Sequence, residues 1–275
     1  MNILIIPGNP GVPSFYETYA RELHRELDGN ANIEILGYLG HSTDDLGVRG
    51  WFSLARQLDH VEAHLASPEC FLADRGPVHV VGHSIGAEMA LHAMHRLPNV
   101  SRVVGLMPFV LTNARSKTQK FLESLVRIGA LVRAVAALVG LVSKLPAAIR
   151  DAMFHPVTKT MDPGPRALTR RWLRANSIVN MALMGRTEFD ALAPGPRETD
   201  GSNERRASQA GRVGLIYCED DHWAPTWQMD AFAAEEGVGE MTAVELVSSP
   251  EVEHAFVLSD RAAALIAKRT ARMLA

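Results

Sequence analysis

Residues 77–91 read Pro-Val-His-Val-Val-Gly-His-Ser-Ile-Gly-Ala-Glu-Met-Ala-Leu, and no other stretch restricts the possible folds of the chain so strongly. Val78, Val80 and Val81 form a β-branched run suited to a parallel strand buried on both faces. Gly82-His83-Ser84-Ile85-Gly86 follows without a spacer. Ala87, Met89, Ala90, Leu91, Ala93 and Met94 then recur with the spacing of a helix laid on a sheet. Strand, sharp turn and helix are the setting in which Gly-x-Ser-x-Gly lifts a serine hydroxyl above a sheet. The turn leaves no space for side chains beyond His83 and Ile85, so glycine is needed at 82 and 86. The helix N-terminus beneath Ser84 favours developing negative charge. Ser84 is the expected nucleophile.

The remaining chain alternates strand and helix around this unit. Strands are expected at 2–6, 32–38, 103–107, 212–218 and 242–247. Helices are expected from Ser14 as N-cap, with Glu17 completing a capping box, through Leu27, and then at 52–65, 226–235 and 259–274. This order predicts an α/β fold with a mostly parallel sheet flanked by helices. Between 112 and 190 the alternation stops and everything reads as helix: a run over 117–145, a break at Asp162-Pro-Gly-Pro165, and a second helix over 166–184. A polar stretch rich in Gly, Ser and Asn, 194–211, reads as a mobile linker. The expected organisation is a first core part (1–111), a helical cap (112–190), a flexible linker (191–211) and a second core part (212–275).

Composition narrows the function classes. A chain of 275 residues with 47% hydrophobic content can bury a full core as one domain with an insertion. The formal net charge of −3 offers no electrostatic footprint for nucleic acid. The charge is uneven, however. Residues 112–190 hold 13 Lys/Arg against 5 Asp/Glu, a surplus of eight, which leaves −11 for the rest. Such a segment suggests its own surface or partner. Within it, 128–142 carries a single charge, Arg133. Cys70 and Cys218 are too few for a disulfide framework or a zinc site and suit a reducing compartment. The N-terminus lacks the basic region of a secretory leader, and no apolar window is long enough to span a bilayer, so a cytoplasmic location is expected.

A serine hydroxyl is a poor nucleophile at neutral pH, so Ser84 needs a base, and the base needs an acid to fix its tautomer. In this fold the chain order is serine, acid, histidine, each after a strand. His254 follows the last strand and precedes the last helix, where a base belongs. Glu219, Asp220 and Asp221 follow the strand that ends near Cys218, and spacing alone does not separate Asp220 from Asp221. An oxyanion hole needs two backbone N–H groups. Ile85 should supply one. The loop Pro7-Gly8-Asn9-Pro10 should supply the other, with Gly8 allowing close approach and Asn9 as donor, because Pro10 has no N–H. His41, His60, His83, His155 and His222 read as packing or surface residues, with His222 a reserve for the base. None has zinc-motif spacing, and neither metal nor cofactor is expected.

Three stretches together resemble the lipid droplet-associated serine hydrolases: Ile6-Pro-Gly-Asn-Pro-Gly-Val-Pro-Ser-Phe-Tyr-Glu17, Gly82-His-Ser-Ile-Gly-Ala87, and the pair Asp221-His-Trp-Ala-Pro225 with His254-Ala-Phe-Val-Leu258. Gly40-His41 and Gln57-Leu-Asp-His60 look similar too, so the resemblance spans nearly the whole chain. It implies an α/β-hydrolase with a Ser-Asp-His triad and lipid-type ester substrates, and it places the acid on Asp221. His222 departs from the glycine usual in the family, and the sheet is expected to lack one or two edge strands. The family name refers to droplets. Here only the basic cap with its apolar helical face suits contact with a lipid surface. The plainer expectation is that this face lines the substrate pocket or packs on the sheet. The leading reading is a serine esterase that forms an acyl-enzyme. The alternatives are an acyl-thioester hydrolase and a catalytically silent protein that binds lipid surfaces.

Overall fold

The computed structural model describes residues 1–41, 50–68, 70–72, 75–193, 212–229 and 242–275. Among these residues, six strands form one sheet: β1 (Asn2–Ile6), β2 (Asn32–Ile35), β3 (Val78–His83), β4 (Val100–Leu106), β5 (Val213–Cys218) and β6 (Thr242–Val247). Their order is β2-β1-β3-β4-β5-β6, and every pairing is parallel. Every residue of β1 and β5 is buried, which is why, Asn2 apart, their sequences are continuously apolar rather than alternating.

Helices cover both faces. In the first half these are α1 (Glu17–Glu26), α2 (Leu54–Ala66) and α3 (Ile85–Arg96). Two glycines show how the layers are divided. Gly105 of β4 pairs with Leu215 of β5, so both point to the same face, and a Cβ on Gly105 would meet Ala87 of α3 at 3.3 Å. Gly214 points the opposite way, where its Cβ would lie 2.8 Å from Met273 in the last helix. That last helix (Asp260–Leu274) packs on α1. The strand order reverses between β1 and β3, and the crevice at their carboxyl ends is where open α/β sheets bind ligands.

Among the described residues, five helices connect β4 to β5: α4 (Lys117–Arg127), α5 (Gly129–Val142), α6 (Ala147–Thr158), α7 (Pro163–Trp172) and α8 (Ala175–Ala191). The last helix of the chain is then α9. The expected single run over 117–145 is two helices bent by 87° at Ile128, because Gly129 is a weak helix former and Ile128 leaves helical dihedrals. Pro146 ends that run and opens α6. Asp162-Pro-Gly-Pro165 does not break a helix. It begins one, since Pro163 at the first helical position loses no needed hydrogen bond.

Two smaller expectations also change. Ser14 caps nothing: Pro13–Tyr16 is a 3-10 turn, and α1 starts at Glu17 without a side-chain cap. Ser53 does cap, accepting from the Arg56 N–H. The second strand ends at Ile35, and Gly37 beyond it is pressed against Pro13, where a Cβ would sit 2.8 Å from Cγ. The expected linker lies outside the described residues beyond Ala193, as does the helix begun at Thr226 beyond Met229.

Candidate active site

β3 ends at His83, and α3 starts at Ile85, so Ser84 alone makes the turn. Its φ of 54° and ψ of −123° are costly for a side-chain-bearing residue. The neighbours explain why both flanking glycines are required. A Cβ on Gly82 would lie 2.2 Å from the Gly86 carbonyl oxygen, and one on Gly86 would lie 2.4 Å from those of Ile6 and Pro7. The turn is held from below by Ser84 N–H to the Leu106 carbonyl (2.9 Å) and by the Phe109 N–H to the Ser84 carbonyl (3.1 Å). Strain at Ser84 is thus fixed by β4 and its exit loop.

Three chain segments converge on the hydroxyl. His254 Nε2 lies 2.9 Å from Ser84 Oγ, and His254 Nδ1 lies 2.7 Å from Asp221 Oδ2. The Asp221 side chain is fully enclosed. Its other oxygen accepts the Trp223 N–H at 2.7 Å. Burial alone would raise this carboxyl. The hydrogen bond and charge of His254, with the backbone N–H groups of Ala224 and Trp223, outweigh burial and hold it below its usual range. Asp220 takes a φ of 57° and is exposed, so the turn sends it outward and its neighbour inward. His222 is exposed and does not reach Ser84.

The loop after β1 stands opposite. The Gly8 N–H donates to the Tyr16 hydroxyl at 2.7 Å, which leaves the Asn9 N–H as the donor without an acceptor among the described residues. Ile85 is the first residue of α3, where a backbone N–H has no intrahelical acceptor. Both amides expected for the oxyanion hole are therefore uncommitted. Gly8 is tightly placed, since a Cβ there would lie 3.1 Å from Ser84 Cβ.

His83 does more than flank the serine. Its Nε2 lies 2.8 Å from the His254 carbonyl, which can only accept, so Nε2 carries the proton. Nδ1 must then accept, and it takes the Tyr16 hydroxyl proton at 2.5 Å. The chain Gly8 N–H, Tyr16 O–H, His83, His254 carbonyl ties the loop after β1 to the segment that carries His254. Burial, aided by the charge of His254, pushes the His83 pKa down to about 3, so the ring stays neutral and the relay keeps one polarity. Tyr16 and this tautomer were not legible in the sequence. Tyr16 and His83 are 67 positions apart. Their only advance signal was Tyr16's place within the first family-like stretch.

His41 is also internal. It accepts the Gly11 N–H at 3.1 Å, and burial lowers its pKa to about 4. Trp223 stacks on Phe189 with centroids 6.1 Å apart and meets Phe109 edge-on at 5.2 Å, giving an aromatic wall beside His254. Such a surface suits an apolar acyl group. Among the described residues one group has metal-ligand character: Glu34, His64 and Cys70, with ligand atoms all within 4.8 Å of one another. It lies where edge strand β2 meets the end of α2, and His64 and Glu34 already pair there at 2.9 Å. Ser84, His254 and Asp221 do not touch it.

Comparison with known proteins gives a consistent picture. Residues 1–257 match the family described as Lipid-droplet associated hydrolase. The Lipid droplet-associated hydrolase of Drosophila melanogaster is 31% identical over 111 residues, which are 37% of this chain and 35% of that protein. This match therefore spans about a third of that relative's length. The Gallus gallus protein of the same name is 24% identical over 274 residues, 93% of this chain and 79% of its own. A lipase-esterase related protein from Clostridium acetobutylicum superposes with a TM-score of 0.61 over 99% of this chain and 92% of that one. At 14% identity, that likeness is one of fold, the α/β-hydrolase fold.

Proposed function

The chain belongs to the Lipid-droplet associated hydrolase family, and on that premise we propose that it is a serine hydrolase cleaving hydrophobic carboxylic esters through an acyl-enzyme. The observation that carries this reading is the unbroken line from Ser84 Oγ through His254 to the enclosed Asp221. His254 Nε2 takes the hydroxyl proton as Oγ attacks the ester carbonyl. The charge that develops on the carbonyl oxygen is met by the N–H groups of Asn9 and Ile85, acting where no solvent rearrangement is needed. His254 then gives the proton to the departing alkoxide, leaving the acyl group on Ser84. Water repeats the sequence, losing its proton to His254, and the acid leaves with Ser84 restored. The wall of Phe109, Phe189 and Trp223 supports an apolar acyl group.

A series of p-nitrophenyl esters from acetate to palmitate, run beside a thioester of matched chain length, tests this. Turnover should rise with acyl length up to the size of the site, with the oxygen ester at least as good a substrate as the thioester. A rate no higher than the uncatalysed background at every length would overturn the reading.

The cap supports a place of work at lipid surfaces. α5 buries only Ala136 and Val142, against α8 rather than the sheet. Ile128, Leu131, Val135 and Leu138 recur at helical spacing and are exposed, as is Leu141. Exposed Arg133 and Lys144 lie along the same segment. Apolar residues beside cations suit insertion into a membrane or droplet surface that carries anionic lipid. Among the described residues, no single helix is long and apolar enough to cross a membrane. The chain is expected to float with vesicles containing phosphatidylserine, and a Val135→Ser, Leu138→Ser double variant should lose most of this binding while keeping its rate on a short soluble ester. Equal flotation of the two would remove α5 from the lipid contact.

A further inference from the structure

We propose that Glu188, a residue of the cap, is a positioning residue that works as a neutral carboxylic acid, paired with the side-chain amide of Asn9 so that α8 latches the oxyanion loop in place. Asn9 Nδ2 donates to Glu188 Oε1 at 3.0 Å and to the Met181 carbonyl at 3.1 Å, so two turns of α8 hold one side chain of the loop. Asn9 Oδ1 is buried and has no donor among the described residues. A carboxylate cannot supply one, but a carboxylic acid can, and an acid and an amide present matching donor and acceptor edges. A proton on Glu188 therefore satisfies the amide oxygen that otherwise has no donor, and removes an uncompensated buried charge.

Among the described residues, the surroundings offer that charge no partner. Burial raises the Glu188 pKa to about 8, with the Asn9 hydrogen bond only partly opposing it. The titratable group facing it from the segment after β2 is Tyr38, a neutral phenol bonded to the Pro7 carbonyl. On the packed helices, Arg127 of α4 is committed to Glu123 and Asp190. Arg56 and Asp59 of α2, Arg133 of α5, and Lys117 and Lys120 of α4 are exposed. An ionised Glu188 would place a negative charge behind the loop whose Asn9 N–H must receive another.

The catalytic consequence rests on the serine-hydrolase reading, whereas the protonation itself does not, so the experiment measures both. Glu188→Gln keeps an acceptor and a donor and cannot titrate. Ester hydrolysis by the wild type should fall as pH passes about 8, to about a tenth of its neutral-pH rate one unit higher. The Gln variant should hold its rate over the same range. Stability follows the same proton. A carboxyl with a raised folded-state pKa favours the fold fully below its unfolded value, and that contribution is lost as pH rises from 4.5 toward about 8. Over that window the Tm of Glu188→Gln should therefore gain steadily on that of the wild type. Superimposable pH-rate profiles in an active enzyme overturn the positioning role. A Tm difference that does not change with pH overturns the protonation, even if the chain proves inactive on esters. If the variant does not fold, infrared titration of the wild type decides: protonated-carboxyl absorption must persist at neutral pH and disappear above about 8.

Discussion

Ser84→Ala is expected to lower kcat on ester substrates by about 100,000-fold or more and to abolish covalent labelling by a fluorophosphonate. The reason is chemical rather than structural. The variant removes the one oxygen placed 2.9 Å from His254 Nε2, and no other described hydroxyl shares that position. The turn itself does not depend on the oxygen, because Ser84 is held by its backbone N–H and carbonyl. Alanine bears the same φ penalty as serine, so stability should stay within about 1 kcal/mol of wild type. The residual rate should still exceed the uncatalysed reaction, because the Asn9 and Ile85 N–H groups remain aimed at the carbonyl. Adding His254→Ala to Ser84→Ala should cost almost nothing more, since each member is useless without the other. Labelling that survives in Ser84→Ala, with the protein shown to be folded, would move the nucleophile elsewhere. Lipid-surface binding undiminished by the substitution, in a wild type that neither labels nor hydrolyses, would favour the catalytically silent alternative.

What was legible in the sequence, and what was not, follows from the range of the forces involved. The strand-turn-helix around Ser84 is a local event of about ten residues, specified by Val78, Val80, Val81 and two glycines that a Cβ would displace. It could be read directly. The parallel sheet followed from alternation, and Asn9 could be singled out because Pro10 has no N–H to offer. Contacts between distant segments carry no such signature. Nothing in the local sequence brings Glu188 to Asn9, 179 positions away. The same holds for the Gln119 side chain, which fixes the loop after Asp221 by donating to the His222 carbonyl at 2.7 Å. The helical segment 112–190 failed differently. Its helices were recognised, but propensity is a weak guide to where an apolar run ends. The bend at Ile128 turned one expected helix into two, and a further helix restarts at Pro146 beyond it. The outward stripe on α5 was concealed for a related reason: an apolar residue looks the same in sequence whether it covers a pocket or faces solvent.

Asp221→Asn should lower kcat by about 10,000-fold with little change in KM, and the geometry shows why so small a change has so large an effect. Asp221 Oδ1 accepts the Trp223 N–H at 2.7 Å. In the variant only the amide oxygen can keep that bond, so the amide nitrogen must occupy the position of Oδ2, against His254 Nδ1. Nδ1 then becomes the acceptor, and the ring proton moves to Nε2, facing Ser84 Oγ. A base that already carries its proton on the reacting nitrogen cannot take another without becoming a cation, and the cation has lost the buried carboxylate that stabilised it. The arrangement of atoms is preserved and the chemistry is not. Slow fluorophosphonate labelling at an unchanged Tm is the expected signature, since the serine is present but not activated. Asp220→Asn is the control: that residue is exposed, and its substitution should leave kcat within about twofold of wild type. If Asp221→Asn lost less than about tenfold while Asp220→Asn lost more, the orienting carboxylate would have to be reassigned to Asp220.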